Sequence, residues 1–277
     1  MNPDSLKKAA MGKKVVLVTG VSSGIGRASA RALADAGCVV YGSVRELERA
    51  EPVKGVTLVR LDVREQASID HAVATLIARE GRIDVLVNSA GQNLVGSVEE
   101  TGIPEVESLF DTNVLGVLRT IRAVLPHMRA RRTGRIINLS SVLGFLPAPY
   151  MGVYAASKHA VEGLSESLDH ELRQFGVRVT LVQPSFTNTS FEANTQRVGT
   201  PISDYDRERE LALGAIARAS SEAPDAAAVA DTIVEAALGK WRMRRTPAGQ
   251  ASLLAKLRRF MPAGAVDASL RKTFGLA

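Results

Sequence analysis

The sequence contains a single cysteine, Cys38, in 277 residues. One thiol excludes an internal disulfide framework and a cysteine-rich zinc site, and it fits a reducing, cytoplasmic setting. No apolar run approaches the eighteen or so residues that a membrane span needs, so an integral membrane protein is not expected. The first ten residues carry Asp4, Lys7 and Lys8 without a following apolar stretch, which argues against a signal peptide. The four histidines show no metal-ligand spacing, so no metal is expected.

Acidic residues are nearly missing from the C-terminal end. From Lys240 to Ala277 the chain holds nine Lys or Arg and one acid, Asp267, a net charge of +8. Residues 1–239 hold 26 basic and 28 acidic residues, a net charge of −2, within an overall charge of +6. The basicity is therefore local, and a nucleic-acid partner is not expected. A solvated helix face or a subunit contact explains this tail better than an anionic membrane surface does.

Short apolar runs alternate with segments of helical periodicity along most of the chain. The predicted strands are Val15–Val18, Cys38–Tyr41, Val56–Leu61, Ile83–Val87, Arg135–Ser140 and Val177–Val182. The predicted helices cover 25–36, 66–80, 104–131, 151–175, 225–238 and 251–261. Strands that are apolar throughout and separated by helices indicate a parallel sheet covered on both faces. We therefore predict an α/β fold, a doubly wound parallel sheet in one domain over 1–277. Residues 185–224 are expected to be irregular, and residues 240–277 to form a basic, helical C-terminal extension.

A glycine-rich stretch, Thr19–Gly26, joins the first predicted strand to the first predicted helix. A dinucleotide pyrophosphate needs a tight turn, a backbone that it can approach closely, and free N–H groups at a helix start. Glycines supply the first two and the helix N-terminus supplies the third. The alternative is a turn that is glycine-rich by chance.

The end of the second strand bears on the choice between NAD and NADP. An NAD site usually places a carboxylate about twenty residues beyond the glycines, to accept the ribose hydroxyls. No acid occurs between Cys38 and Arg45, and a guanidinium at Arg45 suits a 2′-phosphate. NADP is therefore favoured, with NAD possible. Glu46, twenty residues after Gly26, supports the rival reading, and both charges could instead be solvated.

Tyr154 and Lys158 lie four residues apart at the start of a long predicted helix, which places them on one face. A tyrosine with a pKa of about 10 is a poor base at neutrality, but a fixed ammonium stabilises the phenolate. Such a pair can act as a general acid or base on an alcohol or ketone. Chance alone gives such a spacing in about one sequence of eight with four Tyr and nine Lys, so coincidence is the alternative.

With these residues the chain resembles the short-chain dehydrogenase/reductase family from about Lys14 to Pro184. The resemblance rests on five ordered motifs: Thr19–Gly26, Asp62, Asn88-Ser89-Ala90-Gly91, Asn113, and Ser141 with Tyr154 and Lys158. It implies a Rossmann fold, and the first segments and long C-terminus look most like the steroid- and retinol-dehydrogenase branch. Two departures stand out: Pro184 is followed by Ser185 rather than glycine, and Ser89 replaces a usual asparagine.

The resemblance also implies roles for individual residues. Tyr154 would donate or accept the proton, Lys158 would lower its pKa and hold the nicotinamide ribose, and Ser141 would polarise the substrate oxygen. Asn113 would hold a water in a proton relay to Lys158. Asp62 and Val63 would contact adenine, Asn88 and Gly91 would stabilise the sheet and pass close to the cofactor, and Thr189 would contact the carboxamide. The expected cofactor contacts are Gly20, Ser22, Ser23, Gly24, Ile25, Gly26, Arg45, Asp62, Val63, Asn88, Ala90, Gly91, Tyr154, Lys158, Pro184, Thr187 and Thr189.

Residues 142–153, between Ser141 and Tyr154, carry no charge. They predict either an apolar wall for a hydrophobic alcohol or ketone, or plain packing of the helix onto the sheet. Phe191 is a candidate lid residue. By family analogy a homodimer or homotetramer is expected. The leading hypothesis is thus an NADP-dependent oxidoreductase. The alternative is a regulatory or scaffold protein that senses NAD(P) without turnover.

Overall fold

The computed structural model describes residues 12–189, 195–197 and 199–276. One seven-stranded sheet contains β1 (Val15–Val18), β2 (Val39–Val44), β3 (Val56–Arg60), β4 (Val85–Asn88), β6 (Gly134–Leu139), β7 (Val177–Val182) and β9 (Arg244–Arg245). The strand order is β3-β2-β1-β4-β6-β7-β9, and all pairs are parallel. A small parallel ribbon pairs β5 (Leu94–Val95) with β8 (Gln196–Arg197). The order changes direction between β1 and β4, which is where doubly wound sheets open a ligand crevice.

Nine helices follow the strands within the described residues. They are α1 (Gly24–Asp35), α2 (Gln66–Glu80), α3 (Ile103–Phe110), α4 (Gly116–Ala130), α5 (Gly152–Leu172), α6 (Asp206–Ser221), α7 (Ala227–Leu238), α8 (Gln250–Phe260) and α9 (Ala263–Phe274). A π-helical turn, Asp111–Leu115, joins α3 to α4 without a break. None of the helices in the described part of the chain has both the length and the apolar character that crossing a membrane requires.

Alternate residues of each buried strand face opposite layers of helices. Leu17 of β1 packs in a cluster with α2 and α4, represented by Leu76 and Ile121. Val16 and Val18 pack on the other face with residues of α1 and α7. Burial on both faces explains why these strands are apolar throughout. The predicted doubly wound parallel α/β sheet is confirmed.

Asp169 attaches the long helix α5 to β7. Its carboxylate is almost fully buried and accepts hydrogen bonds from the Val179 backbone N–H at 2.9 Å and from Arg178 at 2.9 and 3.0 Å. Arg173, the residue directly after α5, donates a third side-chain hydrogen bond at 3.0 Å. The Arg178 guanidinium also lies 3.3 Å from the ring centre of Trp241. This cluster fixes the register between the helix and the strand.

The sequence prediction was wrong over part of the C-terminal third. Residues 206–221, expected to be irregular, form α6, whose buried Ala212, Ala215 and Ile216 face an apolar cluster. The short strand β9 was not predicted, and the expected helical extension contains a second helix, α9, after the predicted one. Small apolar residues among many charges give α6 little hydrophobic periodicity, so its burial depends on tertiary contacts.

Candidate active site

The carboxyl ends of β1, β2, β4 and β6 surround a cavity of about 410 Å³ at the point where the strand order reverses. Its lining begins at the glycine-rich loop and the end of β2, passes the loop after β4, and ends at α5 and the segment after β7. Motifs that are far apart in sequence therefore meet at one edge of the sheet, as the parallel topology requires.

The glycine-rich loop is shaped by close backbone contacts. Gly20 has φ +72°, and a Cβ there would lie 2.8 Å from the Cα of Ala90. A Cβ on Gly26 would overlap the carbonyl oxygen of Gly20. Any residue other than glycine would therefore clash with neighbouring backbone atoms at both positions. The loop leads into the N-terminus of α1, whose first backbone N–H groups have no partner within the helix and can bind an anion.

Hydroxyl groups connect three neighbouring strand ends beneath this loop. Thr19 Oγ1 accepts hydrogen bonds from the backbone N–H groups of Ser89 and Ala90, both at 3.0 Å. Ser43 Oγ accepts one from the Gly20 N–H at 3.1 Å. These bonds join the ends of β1, β2 and β4, so the floor of the cavity is held by fixed polar contacts.

Three charged residues, Arg45, Asp62 and Arg64, form one end of the cavity. Asp62 Oδ1 accepts from the Arg64 backbone N–H at 2.9 Å, and Asp62 Oδ2 accepts from the Arg64 guanidinium at 3.0 Å. Burial alone would raise the pKa of Asp62, but the hydrogen bonds from Arg64 and the charges of Arg64 and Arg45 lower it below its ordinary value. Arg64 was not predicted, although its position two residues after Asp62 at a strand end was a usable signal.

Tyr154 and Lys158 lie one turn apart near the start of α5, and both line the cavity. The Lys158 ammonium is 5.7 Å from the centre of the Tyr154 ring and donates a hydrogen bond to the Leu139 carbonyl at 2.9 Å. Burial lowers the pKa of Lys158 to about 8. The predicted pairing on one helix face is thus present, and the Lys158 side chain is buried.

Ser141 also lines the cavity, at the carboxyl end of β6. Its Oγ accepts from the Leu143 N–H at 3.1 Å and caps a short 3₁₀ turn, Val142–Gly144. Asn113 lies behind the lining, in the π-helical turn. Its amide oxygen accepts from the Gln92 N–H at 2.8 Å, and its amide nitrogen donates to the Gln92 carbonyl at 3.0 Å and to Ser157 Oγ at 3.2 Å.

Most of the predicted cofactor contacts line this one cavity. Those that do are Gly20, Ser22, Ser23, Gly24, Ile25, Gly26, Arg45, Asp62, Val63, Ala90, Gly91, Tyr154, Lys158, Pro184, Thr187 and Thr189. Asn88 does not: its side chain donates to Asn138 Oδ1 at 2.9 Å and accepts from Thr120 Oγ1 at 2.7 Å, inside the sheet. It therefore supports the strand ends from behind. Phe191, the candidate lid residue, lies outside the described residues.

Sequence reasoning missed several polar residues of the lining, among them Ser43, Gln92 and Ser140. Gln92 Oε1 and Ser140 Oγ are buried and have no hydrogen-bond partner among the described residues. Buried polar atoms at a cavity wall that lack a partner are suited to a ligand that supplies one. No pattern in the sequence distinguished them, because isolated Ser and Gln are common in loops.

The uncharged segment between Ser141 and Tyr154 serves two purposes. Val142, Leu143 and Met151 line the cavity. The same three residues also pack with Ala148 and Phe145 against α6 and α9 in an apolar cluster beside the cavity. Both interpretations of this segment, as a wall and as packing, therefore apply to Val142, Leu143 and Met151.

Charged residues attach α6 to the main body of the fold. Glu100, which is buried, accepts hydrogen bonds from the Ile202 N–H at 2.8 Å and from Arg209 of α6. Burial would raise the pKa of Glu100, but these bonds, those from Ser97 and the Arg209 charge hold it below its usual value. The ion pair between Arg209 and Glu100 thus attaches the N-terminal end of α6 to the rest of the fold.

The residues present fit a dinucleotide. The glycine cradle leaves no room for Cβ atoms, the start of α1 offers free backbone donors, and two arginines stand at the far end of the cavity. The Tyr154 and Lys158 side chains lie at the opposite end. Among the residues with described positions, no cluster of His, Cys, Asp or Glu could hold a metal ion.

Residues 14–198 match the family model described as short chain dehydrogenase. The chain is 42% identical over 184 residues to 3-ketodihydrosphingosine reductase of Bacteroides thetaiotaomicron, a match covering 66% of this chain and 68% of that protein. It is 38% identical to human retinol dehydrogenase 8 and 40% identical to rat estradiol 17-beta-dehydrogenase 1. Each of these matches covers 65% of this chain, and they span 60% and 56% of the two relatives.

Solved structures agree over nearly the whole chain. A short-chain dehydrogenase from Streptomyces avermitilis superimposes with a TM-score of 0.79 at 33% identity, over 95% of this chain and 96% of that one. A Burkholderia phymatum relative in complex with NAD gives 0.76 at 28% identity, covering 89% and 92%. A Burkholderia cenocepacia relative in complex with NADP gives 0.74 at 26%, covering 93% and 97%. The chain belongs to the short-chain dehydrogenase family and is an NAD(P)-dependent oxidoreductase.

Proposed function

We propose that this oxidoreductase uses NADP to interconvert a hydrophobic secondary alcohol and its ketone, with Tyr154 as the general acid or base. The observation that carries the proposal is the placement of Tyr154, Lys158 and Ser141 around one end of a cavity whose other end is cationic. When bound, the nicotinamide supplies or accepts the hydride. The protein supplies the proton, the orientation of the substrate oxygen and the exclusion of water.

This mechanism gives a distinct task to each of four side chains, those of Tyr154, Lys158, Ser141 and Asn113. Tyr154 donates its phenolic proton to the ketone oxygen, or removes the hydroxyl proton in the reverse direction. The Lys158 ammonium stabilises the phenolate and so brings its pKa toward neutrality. The Ser141 hydroxyl donates a hydrogen bond to the substrate oxygen. Asn113, through its bonds to Gln92, fixes the loop that follows β4 at the cavity wall.

The preference for NADP rests on two guanidinium groups. Arg45 follows β2 directly and Arg64 follows β3, and both line the same end of the cavity. Glu46, the residue that would favour NAD, pairs instead with Arg49 at 2.9 Å. A doubly charged 2′-phosphate fits two arginines better than a neutral hydroxyl does.

Arg45→Ala tests this preference. Loss of a charge-assisted contact to phosphate is expected to weaken NADPH binding by about 10- to 100-fold, with little effect on NADH. Protein fluorescence quenching by each cofactor gives both dissociation constants, and Arg49→Ala is the matched control. Equal weakening for both cofactors, or a wild type that prefers NADH, would contradict the assignment.

A hydrophobic substrate is supported by the uncharged wall of Val142, Leu143 and Met151, with Phe186 beside it. Relatives of the chain are named for a sphingoid base ketone, a retinol and a steroid, all of which are largely apolar. Burial of such a ligand against aliphatic side chains contributes affinity in proportion to the apolar area removed from water.

Tyr154→Phe tests the chemistry. The variant is expected to bind NADPH as wild type does but to lose turnover by about a thousandfold, because it lacks the transferable proton. Tyr150→Phe, four residues earlier, is the matched control and should retain activity. The assay is NADPH absorbance with a panel of hydrophobic ketones. Undiminished turnover in Tyr154→Phe would overturn the assignment, and NADPH binding without turnover by wild type would favour the NAD(P)-sensing alternative.

A cytoplasmic homodimer or homotetramer remains part of the proposal. Ile103 of α3 and Leu115 in the π-helical turn are exposed at 68% and 44%. Large apolar side chains on one continuous helical segment are suited to contact with a second copy. Light scattering of the purified protein measures the assembly directly.

A further inference from the structure

One turn beyond Lys158 on α5 lies a second buried charge, Glu162. Its side chain is 10% exposed, and positions four apart on a helix share one face. Gly144 lies between this carboxylate and Ser140: a Cβ added to Gly144 would lie 3.2 Å from Glu162 Oε1 and 2.6 Å from Ser140 Oγ. The two oxygens are therefore at most 5.8 Å apart, and Ser140 lines the cavity. The mechanism above gives this carboxylate no task.

Glu162 is held by two residues from other elements. Gln183, just after β7, donates its amide nitrogen to both carboxylate oxygens, at 3.0 and 2.9 Å. Arg244 of β9 lies 3.6 Å from Glu162 Oε2 and also pairs with Glu166, one further turn along α5. A buried carboxylate with this many donors is fixed in place.

We propose that Glu162 is a positioning residue that keeps the Lys158 ammonium charged, and that Gln183 and Arg244 hold it in place for that task. The inference rests on the proposed role of Lys158 beside Tyr154. Charges then alternate outward from the cavity: Lys158 positive, Glu162 negative, Arg244 positive, Glu166 negative.

An ammonium at this site needs such support. Burial disfavours the charged form of Lys158, and the charge of Glu162 acts in the opposite direction. The other groups beside the Lys158 ammonium are the Tyr154 ring on α5 and the Leu139 carbonyl at the end of β6. If Lys158 lost its proton, the phenolate of Tyr154 would lose its stabilising charge.

Glu162→Gln removes the charge while keeping the size and an oxygen that can accept from Gln183. A unit charge about 7 Å away at an effective dielectric constant of about 20–40 corresponds to a shift of about one pKa unit. The alkaline limb of the pH profile for ketone reduction should move about one pH unit lower. The reason is that Tyr154 and Lys158 titrate as a coupled pair, and the pair loses its first proton at a lower pH when the negative charge is removed. Activity at pH 6 and NADPH affinity should stay within about twofold of wild type.

Glu166→Gln is the matched control, since it removes a charge from the same helix and the same arginine but one turn further away. Its alkaline limb should move by less than about 0.3 units. An unchanged limb in Glu162→Gln, or a uniform fall in activity at every pH, would overturn the proposal in favour of a purely structural role. Equal shifts in the two variants would overturn it as well.

A second readout does not depend on turnover. The lysine side-chain carbon resonances of ¹³C-lysine-labelled protein report the titration of Lys158, assigned by comparison with Lys158→Arg. The midpoint should fall by about one unit in Glu162→Gln and hardly move in Glu166→Gln. If no ketone is reduced by wild type, the proposed function fails, and this titration still decides the role of Glu162. An unmoved midpoint would refute that role even in an active enzyme.

Discussion

Replacing Asp169 with alanine is expected to loosen the catalytic helix α5 from β7. The change leaves the buried Val179 N–H without its acceptor, which costs about 1–3 kcal/mol. It also removes the partner of Arg178, a partly exposed pair worth about 1 kcal/mol, and of Arg173, which is half exposed and contributes less than about 0.5 kcal/mol. The free energy of unfolding should therefore fall by about 3 kcal/mol, with Tm lower by about 6–12 °C.

Urea unfolding at pH 7, followed by circular dichroism, measures this difference. Asp169→Asn keeps an oxygen for the Val179 N–H and loses only the charge, so about half of the effect should remain. The control is Asp35→Ala, because Asp35 forms only an exposed pair with Arg31 and should change stability by less than about 0.5 kcal/mol. If Asp169→Ala were no less stable than that control, the reasoning from burial and unsatisfied donors would be refuted.

The same carboxylate gives the prediction a pH dependence. Burial would raise the pKa of Asp169, but hydrogen bonds from Arg178, Val179 and Arg173 lower it below its ordinary value. A group with a depressed folded-state pKa contributes stability above its unfolded pKa, about 3.9, and loses it as the pH falls through the folded value. The difference in the free energy of unfolding between wild type and Asp169→Asn should thus have its full value at pH 7 and become smaller below about pH 4.

Two further predictions concern the cavity and its surroundings. Gly26→Ala should weaken NADPH binding at least about tenfold, since its Cβ would overlap the Gly20 carbonyl, whereas Gly163→Ala on α5, with open space around it, should bind normally. Fluorescence titration decides this, and equal affinities would contradict it. Glu100→Ala leaves the largely buried Arg209 of α6 without this ion-pair partner. The free energy of unfolding should fall by about 3 kcal/mol at pH 7, and α6 should be cleaved faster by proteases. The loss of stability should become smaller as the pH falls below about 4.3, because the partners of Glu100 lower its pKa in the folded state. An unchanged rate of proteolysis would contradict the conclusion that Glu100 attaches α6 to the rest of the fold.

The sheet was predictable because its signal is local. Val15–Val18 and Val177–Val182 form strands with the predicted bounds, since their residues are buried on both faces. The second strand extends to Val44, past the predicted end at Tyr41, because Gly42 and Ser43 pair in the sheet despite their weak β-propensity. The two-residue strand β9 offers no pattern at all. It exists because the edge of β7 is available to pair with it.

Much of the candidate site could be anticipated because its motifs follow strands, and parallel strands bring their ends together. What sequence could not supply was the direction of each side chain. Asn88 and Gly91 belong to one motif, yet Asn88 faces Asn138 inside the sheet while Gly91 lines the cavity. Arg64 and Glu162 became visible only through their partners, which come from other parts of the chain.

The hydroxyls of Thr19 and Ser43 have one more consequence. They lock the three strand ends to one another before any ligand arrives. A binding floor braced in this way is preorganised, so little ordering entropy is lost on association and more of the contact energy remains as affinity.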